Sequence, residues 1–135
     1  MKRYLLDACA LIAFLSNEQG ADTVANLLKQ QSAEVYLAAI NLYEVCYDAV
    51  RTTGDRQAAA EVLQAVRQLP IVVVWELCDE LIVAAARFKT SYRVSLADSI
   101  ALGMADVIGA TLVSSDHHEF EPLVQDKVLD VLWFR

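Results

Sequence analysis

Four carboxylates stand where the sequence is otherwise largely apolar: Asp7 in "YLLDACALIAFL", Glu44 in "NLYEV", Asp98 in "SLADSIALGMA" and Asp116 in "LVSSDHHEF". An unpaired charge taken out of water is expensive, so each acid needs a partner or a purpose. Each has a local purpose available. Asp7 can cap the helix that follows it. Glu44 and Asp98 stand three residues after Asn41 and Ser95, the spacing of a capping box, and Asp116 suits a turn. A joint purpose is also available. Carboxylates gathered at one place repel one another unless a cation neutralises them. Hard divalent cations such as Mg²⁺ and Mn²⁺ prefer oxygen ligands. A centre of that kind activates water and stabilises phosphoryl oxygens, the chemistry of phosphodiester hydrolysis.

The joint purpose requires elements that bring the acids to one edge. "RYLLD", "EVYLAA", "IVVVW", "TLVSS" and "VLDVLW" are short, β-rich apolar runs and are expected to be strands. Between them lie helical patterns: "ACALIAFLS", residues 21–31, "NLYEVCYDAVRTT" with Asn41 as its cap and Gly54 as its stop, residues 55–68, residues 77–89, and "SLADSIALGMADVIG" with Ser95 as its cap and Gly109 as its end. Strands alternating with helices imply a parallel sheet covered on both faces, and ligands in such sheets bind beyond the carboxyl ends of the strands. Asp7 and Asp116 fall at carboxyl ends of strands, and Glu44 and Asp98 in first turns of helices, all on that edge. Helical spacing aligns Asp98 with Ala101, Leu102 and Ala105 on an apolar face. It sets Ser99, Gly103 and Asp106 on a line expected to face water. Glu76 reaches the same edge, but with Asp79 and Glu80 it is expected to decorate a helix N-terminus. His117 and His118 are expected in a solvated turn, and Phe120 in the core.

Composition narrows the function. The chain has 135 residues, 56 % of them hydrophobic, enough for a sizeable core in one domain spanning residues 1–135 and for apolar surface left over for a partner. A formal charge of −7 denies the broad basic footprint common in nucleic-acid binding, although bound cations can reverse the sign locally. The one compact basic stretch is "RFKTSYR", where Arg87, Lys89 and Arg93 alternate with two aromatics and are candidates for contact with substrate phosphates. Phosphate loops of the G-x-x-x-x-G-K-[ST] and G-x-G-x-x-G kinds are absent, as is the G-x-S-x-G nucleophile turn. Cys9, Cys46 and Cys78 show no C-x-x-C spacing and are expected as buried free thiols in a reducing compartment. The opening "MKRYLLDACALIAFL" superficially resembles an export signal, but Asp7 breaks its apolar stretch. No run approaches the roughly 18 apolar residues of a membrane span. A cytoplasmic protein is expected.

In order and spacing, "YLLDACALIAFL", "NLYEV", "YRVSLADSIALGMA" and "TLVSSDHHEF" together resemble the PIN-domain ribonucleases, and more narrowly the VapC-type toxins of bacterial toxin–antitoxin pairs. The resemblance implies a three-layer α/β/α domain with a mostly parallel sheet of about five strands. It implies that Asp7, Glu44, Asp98 and Asp116 are the catalytic and metal-binding acids, with Ser114 as a supporting hydroxyl. It further implies Mg²⁺ or Mn²⁺, an RNA substrate, an inhibitory antitoxin and frequent homodimers. The position two residues after the first acid, often a small polar residue in that family, is Cys9 here. The expected activity is metal-dependent endoribonuclease. The alternatives are a hydrolase of DNA or small phosphoesters and a non-enzymatic α/β interaction module whose acids are only caps.

Overall fold

The computed structural model describes residues 1–135. Its elements run β1 (Lys2–Leu6), α1 (Ala8–Leu15), α2 (Ala21–Lys29), β2 (Ala33–Ala38), α3 (Ala39–Thr53), α4 (Gln57–Arg67), β3 (Ile71–Val74), α5 (Asp79–Ser91), α6 (Leu96–Ile108), β4 (Thr111–Ser114), α7 (His117–Gln125) and β5 (Val131–Trp133). All neighbouring strands pair in parallel, in the order β3-β2-β1-β4-β5. The chain steps outward from β1 to β2 and β3, then returns to lay β4 and β5 on the other side. The reversal leaves a switch point between β1 and β4, the place where open α/β sheets form ligand crevices.

Side chains alternate across the pleat, so each strand supplies two cores. Leu5 and Leu112 face a cluster of 14 buried residues built with Leu81, Phe88, Leu102 and Phe120 from α5, α6 and α7. Leu6 and Val113 face a second cluster of 14 on the opposite side, built with Leu11, Val24, Leu42 and Val66 from α1 to α4. Burial on both faces explains why the strands read as continuous apolar runs.

Four local expectations are corrected. His117 and His118 are not in a turn: they are exposed in the first turn of α7, which Asp116 caps. Asn41 is not the cap of its helix: α3 begins at Ala39 directly from β2, so Asn41 is buried within the first turn and Glu44 falls in the second. Ser99 and Gly103 do not face water. A Cβ on Gly103 would lie 2.7 Å from the backbone nitrogen of Ala85 in α5, and Ser99 is buried with its hydroxyl donating to the Leu96 carbonyl at 2.6 Å. These residues are small because two helix backbones meet there. Of the cysteines, Cys46 is buried, Cys9 half-buried and Cys78 exposed. Gly54 and Gly109 end α3 and α6 in the left-handed conformation, with φ of 72° and 66°. No helix is long and apolar enough to cross a membrane.

Candidate metal centre

Asp7 leaves β1 at the switch point, where its backbone N–H still donates to the Val113 carbonyl of β4 at 3.2 Å. It caps α1, and the same oxygen, Oδ1, accepts from the Ala10 N–H and from the Cys9 thiol, both at 2.9 Å. The structural and functional purposes are therefore compatible: one carboxylate oxygen serves the helix and the other is left for the cleft. Cys9 takes over the hydrogen bond expected of a small polar residue. Burial first, and then the Asp7 charge, push its thiol up to about 12, which keeps it protonated as the donor to Asp7.

Asp116 repeats the design on the neighbouring strand. It caps α7 by accepting from the Glu119 N–H at 3.0 Å, while its own N–H donates to the fully buried Ser114 hydroxyl at 3.0 Å. The Ser114 hydroxyl also lies 3.8 Å from the Cys9 sulfur that donates to Asp7, so it stands between the two strand-end acids.

Asp98 enters from α6. The Ser95 hydroxyl accepts from the Asp98 N–H at 3.1 Å, the first half of a capping box. The second half comes from another element, because the Ser95 N–H donates to Glu119 Oε1 at 2.8 Å. A carboxylate from α7 thus takes the place that Asp98 would fill in a self-contained box. Glu44 projects from α3, with Oε1 accepting from Asn41 Nδ2 at 2.8 Å.

Asp7, Glu44, Asp98 and Asp116 line one cleft of about 230 Å³, together with Cys9, Tyr47, Asp48 and Arg51. Glu119 adjoins it, with ligand oxygens of Asp98, Asp116 and Glu119 all within 4.8 Å of one another. Burial is the main cause that raises the carboxyls of this group. Asp7, only 4 % exposed, is pushed up to about 6. Glu44 and Asp98 are raised as well. Glu119 is pushed up to about 7, by burial first and then by its hydrogen bond with Asp98. The ionised forms of Asp7, Glu44, Asp98 and Glu119 are disfavoured, and a cation bound among them reverses that balance. The donors are carboxylate oxygens, several with one oxygen already anchored. They suit a hard divalent ion such as Mg²⁺ or Mn²⁺: Asp98, Asp116 and Glu119 are close enough to share one, and Asp7 and Glu44 line the same cleft as Asp98 and Asp116.

Glu119 is not among the acids that the sequence singles out. The signal was present in "DHHE", where it stands three residues after a helix cap, the same relation that links Asp98 to Ser95. The histidines beside it do not line the cleft. His117 is stacked on Trp133, with ring centroids 3.9 Å apart, and hydrogen-bonds through Nε2 to the Arg135 carbonyl. The basic stretch also lies elsewhere. Arg87 pairs with Asp106 near the far end of α6 at 3.0 Å, Lys89 donates to the Val94 carbonyl at 2.7 Å, and Arg93 is exposed in the α5–α6 connection. The cation that lines the cleft is Arg51.

A family model described as the PIN domain matches residues 4–122, a span that contains all five acids. No curated protein matches the sequence. Among solved structures, a DNA-bound VapBC from Salmonella typhimurium shares the fold at 16 % identity, with all of both chains covered and a TM-score of 0.73. VapBC2 from Rickettsia felis, bound to a DNA fragment from its promoter, does so at 14 % identity over 96 % of this chain and 97 % of that one, with a TM-score of 0.74. VapC20 from Mycobacterium tuberculosis, described as a sarcin–ricin loop cleaving toxin, matches at 15 % identity over 80 % and 85 % of the two chains, with a TM-score of 0.63. At such identities the structures testify to a common fold, and the family model extends that kinship to the sequence: the chain belongs to the PIN domain family.

Proposed function

We propose that the protein is a Mg²⁺- or Mn²⁺-dependent endoribonuclease and the toxin of a toxin–antitoxin pair, with its cation held by Asp7, Glu44, Asp98 and Asp116 and assisted by Glu119. The observation that carries this reading is the convergence of these acids, distant in sequence, at the β1–β4 switch point, where burial disfavours the charges of Asp7 and Asp98. The chemistry that a divalent cation supplies in such a site is a lowered pKa for water and neutralisation of the charge developing on a phosphoryl group. The chain's own residues orient and exclude. The Ala10 and Cys9 donors hold Asp7, Ser114 holds Asp116, Asn41 holds Glu44, and the Ser95–Glu119 bond holds the α6 terminus that carries Asp98. Held in this way, the carboxylates need little reorganisation when substrate binds.

RNA as substrate and an antitoxin as partner are supported by the fold shared with VapBC assemblies and with a toxin described as cleaving an RNA loop. A surface for a protein partner, either an antitoxin or a second copy, is available. Leu77, Leu81, Ile82, Leu96 and Ile100 line an almost wholly apolar groove, and Trp75 stands exposed beside it. Three free cysteines suit a cytoplasmic site of action.

The test is cleavage of RNA, DNA and a generic phosphate ester in parallel, with and without Mn²⁺. RNA is expected to be cut only with the metal, and Asp7→Asn and Asp98→Asn to be inactive while still folded. RNA left intact beside a cleaved alternative rejects the ribonuclease reading. Absence of Mn²⁺ binding in calorimetry, in wild type and Asp116→Ala alike, favours a non-enzymatic module.

A further inference from the structure

α3 carries more than Glu44 to the cleft. Its inner face is buried through Leu42, Val45 and Cys46, and its outer face presents Tyr43, Tyr47 and Arg51 at successive turns. Tyr43 is 62 % and Tyr47 46 % exposed, and their rings meet edge to face with centroids 5.4 Å apart. Tyr47 and Arg51 line the same cleft as the acids, while Tyr43 continues the surface outward towards Trp75 and Leu77. Two large aromatic faces left in water on consecutive turns contribute little to either core. Arg51 is held by Asp48 in a surface ion pair of the kind that contributes little and exchanges readily for a phosphate.

Flat aromatic faces beside a guanidinium match the chemistry of an unpaired nucleic-acid strand: bases stack on rings and the backbone is met by the cation. A duplex keeps its base faces covered and offers these rings nothing. The overall charge of −7 points the same way, since a protein without a broad basic track must take much of its affinity from stacking. Resting on the nuclease reading, we propose that Tyr43, Tyr47 and Arg51 form a substrate ledge selective for single-stranded RNA. Tyr47 stacks a base flanking the phosphate to be cut, Tyr43 stacks a base further out, and Arg51 contacts a backbone phosphate.

The experiment reads binding on the Asp98→Asn background in Mg²⁺, so that the RNA stays uncut. It uses a fluorescein-labelled single-stranded RNA oligonucleotide and the same sequence as a duplex. Adding Tyr47→Leu is expected to weaken single-strand binding roughly tenfold, with duplex binding unchanged, and Tyr47→Phe to restore the affinity to within about twofold, because a ring and not a hydroxyl is needed. Arg51→Gln is expected to reduce the slope of log K against log salt by about 0.7. The ledge is rejected if Tyr47→Leu binds single strands as the background does, or if Phe is as weak as Leu. It is also rejected if Tyr47→Leu changes the sedimenting mass with RNA affinity intact, which would assign the rings to a protein interface. Cleavage by the unsubstituted protein separates the two levels. If it cuts RNA and Tyr47→Leu binds and cuts equally well, the ledge fails alone. If it neither binds nor cuts RNA, the nuclease reading fails and the ledge with it.

Discussion

One helix, α6, takes part in two opposite kinds of construction. Along its flank, Ser99 and Gly103 let it approach α5 to backbone contact, and near its far end Asp106 is paired with Arg87. At its N-terminus, Asp98 sits among Asp7, Glu44, Asp116 and Glu119 with Arg51 as the lining cation. The flank is packed for stability. The tip gathers carboxyls that are raised by burial first and by one another's charges second. Cost concentrated at one place and absent from the adjoining one marks a functional site, because strain without a ligand to relieve it has no structural benefit.

Substitutions at the two regions should therefore act in opposite senses. The largest effect is expected at the tip: Asp98→Asn or Asp7→Asn should lower Mn²⁺-dependent RNA cleavage by more than about 100-fold, since even residues that only support a metal ligand change affinity 10- to 100-fold. Asp7→Asn should at the same time raise the melting temperature of the metal-free protein, because Asn can still cap α1 without burying a charge. A variant that loses both activity and stability would dissolve the contrast. At the flank, Gly103→Val should destabilise by about 3 kcal/mol in denaturant titration, since its Cβ would meet the Ala85 backbone and not a movable side chain.

Proton linkage provides a third test. Asp7 is raised from 3.8 to about 6, so the folded state holds its proton more tightly than the unfolded state. Its contribution is fully present below about pH 4 and is lost as pH rises through about 6, amounting to about 3 kcal/mol if Asp7 acts alone. Thermal melts in EDTA should therefore show stability falling between about pH 4 and 6, and Mn²⁺ should offset the fall because it binds the deprotonated carboxylates. A metal-free protein that gains stability over that interval would contradict the assignment. Smaller still, Asn41→Ala should weaken Mn²⁺ binding about tenfold in calorimetry by releasing Glu44, whereas Cys9→Ser should leave it within about twofold because the donor to Asp7 is kept.

Residue order alone was enough to read the five strands, six of the seven helices, the glycine stops at 54 and 109, the Ser95 cap, and the four acids at one edge of a parallel sheet; α7, in a stretch read as a turn, was not seen. Those features depend on periodicity and on chemistry between near neighbours, which a linear string preserves. Asn41 shows the limit: its spacing from Glu44 predicted a cap, but β2 passes into α3 without a loop and the pair became an anchor inside the helix. Ser99 and Gly103 looked solvent-facing because small and polar residues suit water and helix seams alike, and only the approach of α5 distinguishes the two. Glu119 was hidden for a related reason. Its partner is the Ser95 N–H, 24 positions away on another helix, and that bond leaves Asp98 free of the capping role. Tertiary packing decided which carboxylates share a cation site and which cation, Arg51 and not Arg87, faces them. Burial, charge coupling and helix contact are set by distances in space, and residues that are remote along the chain acquire those distances only when it folds.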